Sequence, residues 1–146
     1  MIARIVKIRT GSLITLKPMV LRSILAVLAG LVAMTAVSFA IEAVADPLLM
    51  RVLVLPDKAA LTHNSAVSLI TMAYTLVCVV GGGYITAKLA RRLPERHALI
   101  LGLVQAALMV PAMMSFADPG PLWRWVLGMV LVIPAAWAGG AIYARA

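Results

Sequence analysis

The chain has 146 residues, of which 64% are hydrophobic and only 12% are charged, and its formal net charge is +8. Soluble domains are about half apolar and a quarter charged, so a soluble fold of this length could not bury so much apolar surface. The basic charge lies in short segments between long apolar runs, which favours a membrane protein and argues against nucleic-acid binding. The lone cysteine, Cys78, excludes an intrachain disulfide and is expected to be an inert packing residue.

Residues 1–20 form a basic segment with four Lys or Arg side chains and no acidic side chain. Apolar residues are interleaved with the charges. The segment is therefore predicted either to lie on the cytoplasmic membrane surface, attracted by anionic lipid, or to be disordered. Met19 is an alternative candidate for the first residue of the protein.

Four long apolar runs follow, and each is long enough to cross a bilayer as a helix. A helix needs about 20 apolar residues to cross a hydrocarbon core of about 30 Å. A transmembrane barrel would instead need short segments of alternating polarity, which these runs lack. The predicted fold class is therefore all-α, a polytopic membrane protein with a four-helix transmembrane domain over residues 21–146. Its predicted spans are about 22–45, 64–88, 98–117 and 122–144.

The connection after the first span contains a second apolar stretch. Asp46 followed by Pro47 is typical of a helix start, with an acid at the N-cap and proline at the first helical position. Pro56 is a stop signal. The roughly nine residues between these signals are too few to span a membrane, so a separate short helix over residues 48–55 is predicted to lie in the outer interface.

The flanks of the four runs differ in charge. The N-terminal segment, the connection over residues 88–96 and the C-terminal Arg145 are basic, whereas the other two connections carry balanced charges. Because Lys and Arg accumulate on the cytoplasmic side, both termini are predicted to lie inside. Trp123 and Trp125 then fall at the outer interface, where aromatic residues anchor helices.

A short motif recurs at the ends of the second and fourth runs. The pattern Gly-Gly-x-Ile-x-Ala-basic begins at Gly82 and again at Gly139, and the first and third runs share Gly-Leu-Val from Gly30 and Gly102. The repeat indicates two tandem helical hairpins in the same orientation, related by a pseudo-twofold axis along the membrane normal. Shared packing rules of membrane helices are an alternative explanation.

Glycines in these runs are candidate helix-packing residues. Association in lipid relies on close packing rather than on the hydrophobic effect, and small residues let helix backbones approach. The triplet at 81–83 indicates either very close backbone contact or a flexible joint. The candidate packing set is Gly30, Gly81, Gly82, Gly83, Gly102, Gly139 and Gly140.

Three polar side chains within the runs form a candidate polar pathway, because polar groups in lipid are costly. Glu42 is either an interfacial acid that reaches water or a protonatable site on an ion or substrate path. Gln105 forms either an interhelical hydrogen bond or a ligand contact, and Tyr74 needs a partner for its hydroxyl. The sequence has no recognisable catalytic constellation, metal cluster or phosphate loop, so no enzymatic activity, metal or cofactor is expected.

Four stretches carry a resemblance to known proteins. They are Arg22-Ser23-Ile24-Leu25-Ala26-Val27-Leu28-Ala29-Gly30, Gly82-Gly83-Tyr84-Ile85-Thr86-Ala87-Lys88-Leu89-Ala90, His97-Ala98-Leu99-Ile100-Leu101-Gly102 and Pro134-Ala135-Ala136-Trp137-Ala138-Gly139-Gly140. With them the chain resembles an uncharacterised family of short four-helix bacterial inner-membrane proteins. The resemblance implies a location in the bacterial cytoplasmic membrane and supplies no activity. Small multidrug-resistance transporters are similar in outline, but here Glu42 lies near the outer interface and their aromatic cage is missing.

Three functions are compatible with these features. The small-residue seams and the scarcity of polar groups favour a non-catalytic membrane subunit or scaffold. Glu42, the glycines and the tandem hairpins instead favour a small proton-coupled transporter or exporter acting as a homodimer. A membrane enzyme is the third possibility and lacks a catalytic constellation. The expected partners are the lipid bilayer and either a second copy or another membrane protein.

Overall fold

The computed structural model describes residues 2–90, 93–116 and 120–146, with side chains described from residue 20 onward. Arg91, Arg92 and Asp118, which belong to the charged connections, lie outside the described residues. Every regular element in the described ranges is helical, and four helices are long and apolar enough to cross a membrane, so the predicted all-α class is confirmed. The helices are α1 (Ile2–Val52), α2 (Lys58–His63), α3 (Ser65–Ala90), α4 (Pro94–Ser115) and α5 (Leu122–Arg145).

Helix α1 is longer than predicted at both ends. It crosses the predicted boundary between residues 20 and 21 and continues through Asp46 and Pro47 to Val52. The prediction of a separate short helix beginning at Asp46 was therefore wrong. Proline inside a helix removes one backbone hydrogen bond, whereas ending the helix there would leave four carbonyls without partners near an apolar medium. Continuing the helix is the less costly choice.

The connection from α1 to α3 is built by two capping arrangements. Val54 takes the left-handed conformation with φ 52°, and the Leu55 amide donates to the Met50 carbonyl at 3.0 Å, which is the bonding pattern that ends many helices. The short helix α2, which the sequence analysis missed, begins where the Asp57 carboxylate accepts from the Ala60 amide at 2.8 Å. An acid at this position satisfies an otherwise unpaired amide.

Helix α3 is the central helix of the bundle. It packs against α1, α4 and α5, and α5 in turn packs along α4. Helix α1 is attached mainly through α3, with a smaller contact to α4 and none to α5 among the described residues. The hairpins α1–α3 and α4–α5 therefore meet mainly through the α3–α5 crossing.

The α3–α5 crossing has a reciprocal pair of glycine contacts. Gly83 of α3 faces the carbonyl of Ala136, and Gly139 of α5 faces the carbonyl of Val80, so a Cβ atom at either glycine would overlap backbone. Val80 and Ala136 are 56 positions apart, as are Gly83 and Gly139, so the two contacts are related by an approximate twofold axis. The repeated sequence motif instead aligns Gly82 with Gly139, one residue out of this register.

Burial is concentrated at one end of the bundle. The end that contains the C-terminus is called the C-terminal half, and it is formed by residues 20–34, 78–90, 93–102 and 132–146. The opposite end, which contains α2, is called the α2 half, and it is formed by residues 35–77, 103–116 and 120–131. Within these described ranges, Leu61, Val67 and Ser68 are the only buried residues of the α2 half. All other buried residues, including the core residues Val79 and Leu101, belong to the C-terminal half. The α2 half is therefore the loosely packed end.

Candidate functional site

Two of the three predicted pathway residues are in contact. Glu42 of α1 and Tyr74 of α3 are both half-buried, and the Tyr74 hydroxyl donates to Oε1 of Glu42 at 3.4 Å. This distance is long for a bond between a hydroxyl and a carboxylate, so the interaction is weak. The contact nevertheless places the Glu42 carboxylate on the bundle side of α1.

Next to Glu42, an ion pair lies at the rim of the bundle. Asp46 is one helical turn beyond Glu42 on the same face of α1, and its Oδ2 lies 3.8 Å from Nζ of Lys58 at the start of α2. The Lys58 side chain is 80% exposed and that of Asp46 is 28% exposed, so the pair contributes at most about 1 kcal/mol to stability. Its main consequence is that these two charges neutralise each other at the rim.

Helix α2 is positioned over α3 by hydrogen bonds. The Ser68 hydroxyl donates to the Thr62 carbonyl at 3.2 Å, and Oδ1 of Asn64 accepts from the Ala66 and Val67 amides at 3.0 and 3.3 Å. Asn64 thereby caps α3 at the point where the chain turns. This arrangement holds Lys58 beside the acidic face of α1.

These elements line a partly open cavity of about 240 Å³, which we call the polar cavity. Four charged side chains line it, two acidic and two basic, together with hydroxyl groups and an apolar wall. Its lining residues are Glu42, Asp46, Lys58, Leu61, Thr62, Val67, Thr71, Tyr74, Phe116 and Arg124.

A second cavity of about 120 Å³, the inner cavity, lies deeper in the bundle between α3, α4 and α5. Gln105, the third predicted pathway residue, lines it, and no hydrogen bond joins its amide to another described residue. Val79 and Val132, both buried, lie at its end toward the C-terminal half. Thr71 and Arg124 line both cavities, so they lie between the polar cavity and the surroundings of Gln105.

Arg124 is the central basic group of this site. It belongs to the first turn of α5, is half-buried, and acts electrostatically on Glu42 together with Asp46 and Lys58. In the described part of the chain its guanidinium has no carboxylate within ion-pair distance. A guanidinium carries five donors in a fixed planar arrangement, so these donors are available to a group that enters either cavity.

No known family, curated protein or solved structure matches this chain. A role for the site therefore has to come from its own chemistry. Within the described ranges, no group of three or more His, Cys, Asp or Glu side chains is arranged to hold a metal ion.

Six of the seven predicted packing glycines lie at contacts between helices. Gly30 faces the hydroxyl of Thr86 and the carbonyl of Gly82, and a Cβ atom at Gly82 would be 3.0 Å from Cβ of Met34. Gly83 and Gly139 form the reciprocal crossing described above. Gly102 lies against Ile133 and Ala136, and Gly140 against Ala98, Glu95 and Pro94.

Gly81 is the exception. A Cβ atom there would have nothing within 4 Å, so Gly81 contacts no other helix. The triplet at 81–83 therefore has one exposed and two buried members, as a helix that presents only one face to its neighbours requires.

Polar contacts at the C-terminal half close the other end of the bundle. Nε2 of His97 lies 3.0 Å from the Ser23 hydroxyl and Nδ1 lies 3.1 Å from the Leu93 carbonyl, while Nε of Arg22 donates to the Leu89 carbonyl at 3.4 Å. These contacts join the start of the first span to the connection between α3 and α4. Neither the polar cavity nor the inner cavity is lined by a residue of these contacts.

Sequence reasoning missed two residues of the site, Thr71 and Arg124. Thr71 belongs to a series of small residues on α3 and has the composition of a packing position. Arg124 lies between two tryptophans and was counted only as a charge of the connection. The available signal was its position three residues after Pro121, where a helix start is expected, which places the guanidinium on a helix rather than in a loop.

Proposed function

We propose that this chain is a small, non-enzymatic transport protein of the bacterial cytoplasmic membrane, with both termini inside, that takes up a small polar solute in the polar cavity. The observation that carries the proposal is a pair of neighbouring cavities that share Thr71 and Arg124, one lined by four charged side chains at the rim and one lined by Gln105 inside the bundle. Polar and charged groups within a transmembrane helix bundle are costly unless they bind a ligand or one another.

The glycine contacts also favour transport over the subunit role that the sequence suggested first. The seams that would have held a partner are occupied by the chain's own helices, as Gly30, Gly82, Gly83 and Gly139 demonstrate. These glycine contacts therefore give less support to a binding partner than the sequence alone suggested.

In this proposal Glu42 couples solute binding to proton exchange. Its carboxylate accepts from Tyr74 and lies in the field of Asp46, Lys58 and Arg124, so a change in its charge alters the electrostatics of the whole cavity. A single bundle is closed at the C-terminal half by the glycine contacts. We therefore propose that the transporting unit is a homodimer, because one bundle alone leaves no path past this closed end.

A second candidate, a non-catalytic membrane subunit, is favoured by one separate observation. The face of α1 that carries Val37, Ala40, Ile41, Val44, Ala45 and Leu48 forms an open groove with almost no polar surface. A transmembrane helix of another protein would fit such a groove by close packing at its alanines.

Transport is tested in sealed proteoliposomes with an imposed pH gradient and three labelled probes, L-alanine, ethylamine and propionate. The neutral forms of ethylamine and propionate cross lipid and accumulate along a pH gradient unaided, so we expect at least one probe to accumulate beyond its level in protein-free vesicles. Glu42→Gln should abolish this excess, because it removes the exchangeable charge but keeps the shape of the side chain. Glu95→Gln, which changes an exposed acid at the opposite end of the bundle, is the matched control and should retain it. Flux equal to that of protein-free vesicles for all three probes, or an unchanged Glu42→Gln, contradicts transport.

The two proposed functions, transporter and membrane subunit, predict different native assemblies. The tagged protein, purified at natural abundance in native nanodiscs, should have the mass of a homodimer if it is a transporter. A stoichiometric second protein would favour the subunit role instead, and leucine in place of Ala40 and Val44 should then release that protein.

A further inference from the structure

We infer that the polar cavity is a binding site for a small zwitterion, whose anionic group is bound by Arg124 and whose ammonium group is bound by Glu42. The inference names the class of solute for the proposed transport function and rests on that function for its physiological meaning. The binding step itself can be tested without transport.

The charges of the cavity leave one group of each sign for a ligand. Asp46 and Lys58 form an ion pair at the rim, 3.8 Å apart. Glu42 and Arg124 remain, on different helices and on the same cavity. A ligand with both an ammonium and an anionic group would satisfy both residues at once.

Arg124 is suited to the anionic end of the ligand. Its guanidinium has no ion-pair partner in the described part of the chain, and it lines the cavity together with the Thr71 and Thr62 side chains. Guanidinium binds carboxylate and phosphate oxygens through paired hydrogen bonds, so a planar anionic group is the complementary partner.

Glu42 is suited to the ammonium end. The Tyr74 hydroxyl donates to Oε1, while Oε2 accepts no hydrogen bond from the described residues. Carboxylates are acceptors only, and a primary ammonium has three donors, so the free oxygen and the weak bond at Oε1 leave room for such a group.

The remaining walls limit the size of the ligand. The polar cavity has a volume of about 240 Å³. Leu61, Val67 and Phe116 supply an apolar side that would contact a short aliphatic substituent. A small amino acid has this combination of size, paired charges and short apolar chain.

Ligands with a single charge fit less well. A simple cation would leave the Arg124 charge unmatched and would be repelled by it, and a simple anion would be repelled by Glu42. Such repulsions are strong in a partly buried site because the local dielectric is lower than that of water. The same zwitterionic chemistry also occurs in the phosphoethanolamine headgroup of membrane lipids, so there are two possible sources of the ligand.

The test measures binding of labelled L-alanine to the purified full-length protein in nanodiscs of phosphatidylglycerol. Ethylamine and propionate are the matched competitors, since each lacks one of the two charged groups of alanine. We expect each to compete at least about tenfold more weakly than alanine, which is the loss typical of one charge-assisted hydrogen bond. Phosphoethanolamine as a competitor, and nanodiscs that contain phosphatidylethanolamine, distinguish the lipid source from a free amino acid.

Matched variants test whether Glu42 and Arg124 bind the two charged groups of the ligand. Glu42→Gln and Arg124→Gln should each weaken the binding of the zwitterion by about tenfold or more. Glu95→Gln and Arg96→Gln, at exposed positions of α4, should leave it unchanged. The inference is overturned if neither alanine nor phosphoethanolamine binds, if ethylamine or propionate competes as well as alanine, or if both cavity variants bind like the parent. Zwitterion binding without flux would refute transport and keep this site, whereas ethylamine flux above that of protein-free vesicles, without zwitterion binding, would support transport and refute this site.

Discussion

The two halves of the bundle are built from the same helices but are packed by different means. In the C-terminal half, glycines bring helix backbones together, so that Gly83 and Gly139 each lie against a carbonyl of the neighbouring helix. In the α2 half, α3 and α5 present larger side chains to each other, including Thr71 and Arg124, and cavities remain between them. The glycine contacts and the cavities therefore lie at opposite ends of the α3–α5 pair.

This difference assigns a separate role to each half. Backbone-to-backbone contact leaves few alternative arrangements, because a displaced glycine has no side chain that could fill the gap. A cavity lined by Glu42, Tyr74 and Arg124 can adjust by side-chain rotation alone. The C-terminal half is accordingly the stable base of the molecule, and the α2 half is the part in which a ligand can bind.

The largest difference in the free energy of unfolding is expected between two variants of the glycine triplet, Gly83→Ala and Gly81→Ala. Gly83→Ala would place a Cβ atom against the carbonyl of Ala136, which cannot move without separating α3 from α5, so we expect a loss of about 2–3 kcal/mol in the free energy of unfolding. Gly81→Ala meets no atom within 4 Å and should stabilise α3 by up to about 1 kcal/mol through its higher helix propensity. Thermal unfolding can be followed by a thiol-reactive fluorophore, since Cys78 is the only cysteine and is buried. Equal effects of the two variants would show that the α3–α5 contact is not the base of the fold.

A smaller difference is expected between the two ends of α5. Gly139→Ala would meet the Val80 carbonyl and would lie 2.8 Å from the Tyr84 amide nitrogen, so we expect a loss of about 2 kcal/mol. Gly128→Ala, in the α2 half, would meet only Cε of Met109 at 2.9 Å. That atom is the end of a flexible side chain, which can move, so the change should stay within about 0.5 kcal/mol. The same thiol assay measures both variants, and a large loss for Gly128→Ala would show that the α2 half is as tightly packed as the other.

The fold could be predicted from the sequence because lipid limits the possibilities. The spans predicted at 64–88 and 122–144 agree with α3 and α5 within about two residues, since their apolar lengths are set by the membrane. The end of α1 could not be predicted in the same way. Asp46 and Pro47 have the local pattern of a helix start, but the cost of unpaired backbone in an apolar medium favours a continuous helix.

The site was only partly predictable. Glu42, Tyr74 and Gln105 could be named because a polar side chain within an apolar run is conspicuous in one sequence. Which of them meet depends on how far each helix is rotated about its axis, and that rotation is set by the glycine contacts at the opposite end. Arg124 joins the site through the same rotation, so no local pattern around it reveals its position beside Thr71.

The smallest effect concerns Thr86, whose buried hydroxyl lies against Gly30 and has no hydrogen-bond partner among the described residues. A buried hydroxyl without a partner costs about 1–3 kcal/mol, and the methyl group lost in Thr86→Ala contributes about 1 kcal/mol, so the two terms nearly cancel. We therefore expect Thr86→Ala to change the free energy of unfolding by less than about 1 kcal/mol.

Thr86→Val replaces the hydroxyl by a larger methyl group that presses on Gly30, and it should be the more damaging of the two despite its similar shape. Thr35→Val, at an exposed position of α1, is the control for the loss of a hydroxyl in the same thiol assay. If alanine proves worse than valine at position 86, the space beside Gly30 admits a further methyl group, and the contact between α1 and α3 is less tight than the glycine geometry requires.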